Sequence, residues 1–186
     1  LAAPAGADSF DDAYAAYKRG DHATALRIWR PMAEQGVAEA QYNLGVMYGE
    51  GLGVPKDYAE AVRWYRKAAD QGHASAQYNL GVMYRQGDGV PQDHAEAVRW
   101  YRKAAEQGLA QAQGNLGVMY EKGLGVPQDH VLAHMWSNLA AAQGDKTAAE
   151  NRDIIAKRMT PAQLAEAQRL ARDWQKKSRV VATAPK

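Results

Sequence analysis

Apolar side chains recur with helical spacing along most of this chain. Ala40, Leu44 and Tyr48 fall at positions i, i+4 and i+8, so they share one face of a predicted helix over residues 38–50. Gly45 lies in the middle of this helix and recurs in later copies, although glycine costs about 1 kcal/mol in helix propensity relative to alanine. A glycine retained there indicates that a second helix packs closely against the first.

The predicted second helix follows a loop rich in glycine and proline. Asp57 is its expected N-cap, and Glu60 stands three residues later, as in a capping box with Asp in place of Ser or Thr. Gly72 follows the last turn, where a glycine in the left-handed conformation commonly ends a helix. The stripe expected to be buried consists of Ala61, Trp64, Tyr65 and Ala68. The two helices together predict a helical hairpin.

The hairpin pattern occurs three times along the chain with a constant period. Residues 37–72, 73–108 and 109–144 are copies of one 36-residue segment, and Leu44 recurs at the same place in each copy. Such a period is the signature of a solenoid, in which each repeat packs only against its neighbours. We therefore predict an all-α fold, a right-handed α-solenoid of stacked helical hairpins.

The segments on either side of the copies are expected to open and close the array. Residues 8–36 resemble a shorter, tetratricopeptide-like opening hairpin. Residues 145–175 are predicted to form C-terminal capping helices, the last of which begins with Thr160 as N-cap and Gln163 three residues on. Terminal capping of this kind is needed for a solenoid to stay soluble.

The two chain termini carry different signals. Residues 1–7 end in Ala5-Gly6-Ala7, a small-residue pattern of the kind that signal peptidase cleaves, so they are interpreted as a signal-peptide remnant or a disordered N-terminus. Residues 176–186 contain basic but no acidic residues and are predicted to be a disordered tail.

Composition excludes several classes of function. The chain has no cysteine, which removes disulfides, thiolate zinc sites and a cysteine nucleophile. It has no run of about 20 apolar residues, so no transmembrane span is predicted. Of 23 Lys and Arg residues, four lie in the tail, and the remaining 19 face 21 acidic residues. The slightly acidic body argues against nucleic-acid binding, which normally needs a basic face.

The repeated motif resembles a known family. Each copy follows the pattern A-x-x-x-L-G-x-x-Y, then G-x-G-V-x-x-D, with A-x-x-W-Y-x-x-A-A-x-x-G complete in the first two copies. This pattern is similar to that of the Sel-one-like repeat family, a longer-looped relative of the tetratricopeptide repeat. The resemblance covers residues 37–144. It implies an adaptor that gathers proteins or peptides, often at the cell envelope, with the first helix of every hairpin lining a concave surface.

That surface supplies the candidate peptide-binding residues. One Asn per repeat forms a ladder whose amides can bond the N–H and C=O of an extended peptide, or else each Asn bonds its own loop. The tyrosines offer amphipathic contact area, and Arg85 can take a carboxylate. Three of the eight positions that differ between the first two copies fall on this surface. The candidates are Glu39, Tyr42, Asn43, Val46, Glu50, Ser75, Tyr78, Asn79, Val82, Arg85, Gln86, Asn115, Val118 and Glu121.

No motif of catalysis or cofactor binding is found. The sequence lacks G-x-S-x-G, S-x-x-K, H-E-x-x-H and a phosphate-binding loop, so no catalytic residue, cofactor or metal is predicted. His130 and His134 are four residues apart and share a helix face, but no third ligand is placed to complete a metal site.

The leading hypothesis is therefore a monomeric, non-enzymatic scaffold that binds a protein or an extended peptide. The expected location is the bacterial periplasm or the medium, with the cytoplasm as the alternative. A second hypothesis is a cell-wall ligand binder or β-lactamase-like hydrolase, since some secreted proteins of similar sequence are assigned to that class, although those are tied by disulfides. A third is a structural subunit of an envelope assembly.

Overall fold

A computed structural model describes residues 9–183 of the chain, and the side chains of residues 9–178. Within that range all regular secondary structure is helical, in ten helices and no strand, which confirms the predicted all-α class. None of these helices is both long and apolar enough to span a membrane. The expected signal remnant at residues 1–7 lies outside the described residues.

The chain forms two compact units, and the boundary between them along the sequence falls between Gln92 and Asp93, in the loop of the second copy. The helices of the first unit are α1 (Phe10–Lys18), α2 (His22–Glu34), α3 (Ala38–Glu50), α4 (Tyr58–Asp70) and α5 (Ala74–Gln86). Those of the second unit are α6 (His94–Glu106), α7 (Ala110–Lys122), α8 (His130–Ala141), α9 (Lys146–Ala156) and α10 (Pro161–Thr183). Consecutive helices pack against each other from α1 to α5 in the first unit and from α6 to α9 in the second, as the hairpin pattern predicts, whereas α10 packs on α8.

Close approach of the two helices of a hairpin explains the glycine in the middle of the first helix. A Cβ atom added to Gly45 would lie 2.5 Å from two ring carbons of Tyr65, well inside van der Waals contact. In the second unit, a Cβ on Gly117 would lie 2.6 Å from Ser137 Oγ. The predicted packing role of this glycine is confirmed at both positions.

The N-cap residues predicted for α4 and α10 form their hydrogen bonds, but one of the two predicted capping boxes is incomplete. Asp57 Oδ1 accepts from the backbone N–H of Glu60 at 3.0 Å. The prediction that the Glu60 carboxylate accepts from the backbone N–H of Asp57 is wrong, because that carboxylate accepts from the guanidinium of Arg63 instead. At α10 both bonds of the box form, since Thr160 N–H donates to Gln163 Oε1 at 2.9 Å and Gln163 N–H donates to Thr160 Oγ1 at 3.3 Å.

Each long loop lies against the start of the preceding hairpin's second helix. Gly89 has φ +69°, and a Cβ there would lie 2.4 Å from the carbonyl of Tyr58, the first residue of α4. Gly125 repeats this in the second unit, with φ +70° and 2.3 Å to the carbonyl of His94. These loop glycines therefore do more than end a helix, because no side chain fits at the contact between loop and helix.

A buried glutamine links successive hairpins, which sequence reasoning missed. Gln41 is 4% exposed, and its Nε2 donates to the carbonyl of Ala33 at the end of α2 at 3.0 Å. Its Oε1 accepts from Gln71 Nε2 at 2.8 Å. In the second unit, fully buried Gln113 donates to Ala105 O at 3.1 Å and accepts from Gln143 at 2.9 Å. Buried amides of this kind stabilise only when paired, and here they pair on both ends.

The structure corrects two predictions, one about the burial of a side chain and one about the end of the chain. Trp64 is only half-buried, with Lys67 Nζ 4.2 Å from its ring centroid, and Val62 is buried in its place. The predicted disordered tail is wrong for residues 176–183, because α10 continues to Thr183. The chain between Pro161 and that point contains no glycine or further proline to interrupt the helix. Residues 184–186 lie outside the described range.

Helix α10 covers the last hairpin as the predicted cap. Ala167 and Ala171 are buried on its inner face. Trp174 meets Trp136 of α8 edge-on, with ring centroids 6.1 Å apart. The closing helix thus buries the apolar face of α8, which no further repeat covers within the described chain.

Candidate peptide-binding face

The candidate residues lie on α3 and α5 of the first unit and on α7 of the second. On α3 and α5, Glu39, Glu50 and Gln86 are exposed. The half-buried members there are Tyr42, Asn43, Val46, Ser75, Tyr78, Asn79, Val82 and Arg85. Partial burial leaves part of each of these side chains available to a ligand while the rest is held by packing.

Tyr42 is the centre of a cluster that joins α3, α4 and α5. Its ring stacks on that of His73, with centroids 4.7 Å apart and planes at 19°, and lies 6.0 Å from the ring of Tyr65. The Asn79 amide reaches the hydroxyls of both tyrosines. The first unit therefore gathers two candidate residues, Tyr42 and Asn79, in one contact network.

Asn79 contacts tyrosines of the preceding repeat, and its binding to a peptide stays a prediction. Its amide hydrogen-bonds with the side chains of Tyr42 and Tyr65, neither of which belongs to its own loop. Burial raises the pKa of Tyr65 well above its ordinary value, and the Asn79 hydrogen bond works in the opposite direction. Asn79 therefore connects α5 with the tyrosines of α3 and α4.

His73 ties the edge of this face to the helix behind it. The backbone N–H of Ala76 donates to His73 Nδ1 at 3.2 Å, which makes this histidine the N-cap of α5. Because Nδ1 accepts, the ring proton of the neutral imidazole is on Nε2, which donates to Glu39 Oε2 at 2.8 Å. Val37 at the same place in the first copy makes no side-chain cap. The capping role of His73 was not foreseen from the sequence.

Acidic and phenolic groups from α1 and α3 extend the face. Burial raises the pKa of Tyr17, and the nearby Glu50 carboxylate and Tyr14 add to the effect. Burial likewise raises the pKa of Tyr42, helped by Glu39, Tyr17 and Glu50. Sequence reasoning did not include Tyr17 among the candidates, and these influences indicate that it lies near Tyr42 and Glu50. We call Tyr17, Glu39, Tyr42, Glu50 and Asn79 the tyrosine face.

Arg85 is held more tightly than a free surface arginine. Its backbone carbonyl accepts from Gln92 Nε2 at 2.8 Å, which fixes the end of α5 to the loop. Its Nε is buried and has no hydrogen-bond partner among the described residues. Recognition of a carboxylate by Arg85 stays a prediction.

The α7 residues of the second unit present a different surface. Glu121 pairs with Arg158 at 3.2 Å, so its charge is already balanced. Gly114 stands where the first copies have Tyr42 and Tyr78, and a Cβ on it would lie 3.3 Å from Asp145 Oδ2. Asn115 and Val118 are half-buried. The tyrosine-rich character is therefore confined to the first unit.

The two histidines considered for metal binding lie in different environments. His130 begins α8, whereas His134 is 4% exposed. Burial lowers the pKa of His134, and the neighbouring Arg152 lowers it further. Across the described residues, no three His, Asp or Glu side chains come together as possible metal ligands.

Comparison with known proteins decides the family. Residues 38–73, 74–109 and 110–145 each match the model of the Sel1 repeat. The chain belongs to the Sel1 repeat family. The three matched segments begin one residue later than the copies defined from the sequence, and they confirm the resemblance on which the fold prediction partly rested.

Solved structures support the same assignment for this Sel1 repeat protein. A protective antigen present in uropathogenic Escherichia coli strains, which displays an SLR fold, is 37% identical over 95% of this chain with a TM-score of 0.82. A Sel1 repeat protein from Oxalobacter formigenes is 36% identical over 78% of the chain with a TM-score of 0.75. The chain spans 41% and 60% of the lengths of these two proteins. No protein of curated function matches it.

Proposed function

We propose that this Sel1 repeat protein is a non-enzymatic adaptor that binds an extended peptide segment of a partner protein on its tyrosine face. Sel1 repeats generally mediate protein interactions, which supports the class of function. The observation that carries the proposal is the network in which Tyr42 stacks on His73 and shares the Asn79 amide with Tyr65. It presents aromatic surface at little cost in ordering, because the side chains are already packed.

The charge of the face selects the peptide. Glu39 and Glu50 are exposed carboxylates, and Tyr17 and Tyr42 offer ring faces and hydroxyls beside them. Lys or Arg side chains bind favourably over aromatic rings and next to carboxylates. The preferred ligand is therefore an extended peptide that carries at least one basic residue.

Selection from a library of random peptides tests this preference. The wild-type protein should enrich basic peptides, and the affinity of a selected peptide should fall on the order of tenfold in Tyr42→Ala and in Glu50→Lys. Glu106→Lys is the matched control, since Glu106 is exposed at the end of α6 in the other unit. Unchanged affinity in both variants of the face would show that the peptide binds elsewhere.

The non-enzymatic part of the proposal has its own test. Purified protein at high concentration should leave a chromogenic cephalosporin intact over many hours. Steady turnover that co-purifies with the protein would favour the β-lactamase-like alternative.

We also propose that the protein acts in the bacterial periplasm or outside the cell. The support is the Ala5-Gly6-Ala7 sequence, which fits signal peptidase specificity. The Escherichia coli relative is described as a protective antigen, which is consistent with an envelope location for the present chain. Osmotic-shock fractionation of the native host tests this, with a cytoplasmic enzyme as marker, and recovery with that marker would contradict it.

A further inference from the structure

An arginine–tyrosine hydrogen bond joins successive hairpins at a fixed register. In each case the guanidinium on the second helix of one hairpin donates to a tyrosine hydroxyl 18 residues later, on the first helix of the next. The first and third bonds measure 2.8 Å and 2.6 Å. The pairs are Arg30–Tyr48 and Arg66–Tyr84 in the first unit and Arg102–Tyr120 in the second.

The next register of the array loses both members of this pair. Asn138 stands 36 residues after Arg102, and Ala156 stands 36 residues after Tyr120. Both replacements are shorter, so the space that an arginine and a tyrosine ring fill elsewhere is not filled by these positions. His134 also replaces the valine that is buried at Val98 in the preceding copy. Three departures from the repeat thus coincide on α8 and α9.

A cavity of about 410 Å³ lies at this place. Its walls are His134 and Asn138 of α8, Arg152 and Ala156 of α9, and Leu164 and Arg172 of α10. The volume lies in the range typical of sites for small ligands. Both residues that replace the missing pair line the cavity, so the departure from the repeat and the cavity are one feature.

The polar groups of the cavity carry an excess of one positive charge. The charge of Arg152 is balanced by Asp153, because Arg152 Nε donates to Asp153 Oδ1 at 2.8 Å. Arg152 Nη1 also donates to Asn138 Oδ1 at 3.5 Å. Arg172 forms no hydrogen bond or ion pair with any residue whose side chain the structure describes. Burial and the charge of Arg152 lower the pKa of His134, which keeps its imidazole neutral near pH 7.

His134 adds a second sign of a polar ligand. It is 4% exposed, and its Nδ1 is buried without a hydrogen-bond partner in the described part of the chain. Leaving a buried polar atom unpaired is unfavourable, so a histidine at a valine position calls for an explanation. Ala156 and Leu164 contribute apolar surface to the cavity.

We propose that this cavity binds a small aromatic carboxylate. The carboxylate pairs with the guanidinium of Arg172, which is suited to two parallel hydrogen bonds with it. The aromatic ring lies against Ala156 and Leu164, in the space that a tyrosine ring occupies at the other registers. Asn138, Gln168 and His134 offer hydrogen bonds to a ring substituent such as a hydroxyl. The site lies wholly in the second unit and is independent of the tyrosine face.

Titration of the ¹⁵N-labelled full chain with 4-hydroxyphenylacetate tests the proposal. We expect saturable shifts of amide signals confined to α8, α9 and α10. The uncharged 4-hydroxyphenylacetamide has the same shape without the carboxylate, so it should bind on the order of tenfold more weakly or not at all.

Two variants separate the site from a general effect on folding. Arg172→Gln keeps much of the length of the side chain but removes the charge, and it should weaken binding of the acid on the order of tenfold. Arg99→Gln removes an exposed arginine of α6 and should leave affinity unchanged. The double variant Asn138→Arg with Ala156→Tyr restores the hydrogen-bonded pair of the other registers, so it should keep the fold and abolish binding.

The outcomes against the proposal are equally specific. Absence of any shift at millimolar acid would overturn it, as would equal binding of acid and amide. Binding that persists in Arg172→Gln and in the folded double variant would show that the ligand lies outside this cavity.

Discussion

The ring of Tyr65 occupies the space directly over Gly45, where an added Cβ would lie 2.5 Å from Cδ1 and Cε1. This contact sets how closely α3 and α4 approach, and it places the Tyr65 hydroxyl within reach of Asn79. One glycine thereby connects hairpin packing with the geometry of the tyrosine face.

We expect Gly45→Ala to destabilise the protein by about 2 kcal/mol, although alanine has the higher helix propensity. The overpacked methyl group must displace Tyr65, and overpacking of a buried site costs roughly 1 to 3 kcal/mol. Urea denaturation followed by circular dichroism measures the change. Gly49→Ala is the matched control on the same helix, because its Cβ would meet Ala61 at an ordinary 3.7 Å. That variant should gain up to about 1 kcal/mol.

Much of this architecture was predictable because the repeats make the pattern visible within one chain. Three copies define the helix faces, and the recurrence of Gly45 at the same place in each copy predicts close packing of the two helices. The side-chain contacts of the tyrosine face were harder to foresee. The contacts of Asn79 with tyrosines of the preceding repeat depend on how neighbouring hairpins are offset, which the pattern within one copy does not contain.

The extent of α10 was missed for a different physical reason. The basic, acid-free composition at the chain end favoured disorder after Gln175, yet a helix already anchored by Ala167 and Ala171 continues as long as backbone hydrogen bonding is not interrupted. The glutamine links were missed because Gln41 reads as an ordinary polar position. Its recurrence in every copy was the available signal.

Gly89 offers a test of how the long loops stack on the preceding helix. We expect Gly89→Ala to cost about 3 kcal/mol, because alanine is strained at φ +69° and its Cβ would lie 2.4 Å from the carbonyl of Tyr58. Gly36→Ala isolates the first cause, since φ is +98° there but nothing lies within 4 Å of the added atom. It should cost only about 1 kcal/mol. Equal losses of unfolding free energy in urea for the two variants would show that the loop contact contributes nothing.

The buried glutamine link predicts a large effect from a change of similar volume. Gln41→Leu keeps the bulk but leaves the Ala33 carbonyl and the Gln71 amide without this partner, so we expect a loss of about 1 to 3 kcal/mol. Gln71→Ala removes an exposed side chain from the same network and should cost less than about 1 kcal/mol. Thermal unfolding of the wild type and the two variants measures whether the hydrogen bonds of Gln41 or its packing contribute more to stability. A stabilised Gln41→Leu variant would mean that apolar burial outweighs the hydrogen bonds.

His134 makes stability depend on pH in a direction fixed by its environment. Its pKa is lowered in the folded protein by burial and then by Arg152, with Asp153 acting in the opposite direction. The unfolded chain, with an imidazole pKa of about 6.5, therefore binds a proton at higher pH than the folded chain does. This histidine's contribution is complete above about pH 6.5 and is progressively lost as the pH falls through that value towards the lower folded pKa.

The variant His134→Val, which restores the residue of the preceding copies, separates this contribution from that of the other titrating groups. Valine has no buried nitrogen to leave unpaired, so we expect a gain of about 1 kcal/mol at neutral pH. The gain should widen below about pH 6.5, because only the wild type then loses the contribution of the neutral imidazole. The measurement is the free energy of unfolding in urea for both proteins at a series of pH values. Parallel curves would contradict the assignment, since they would mean that His134 titrates alike in the folded and unfolded chains.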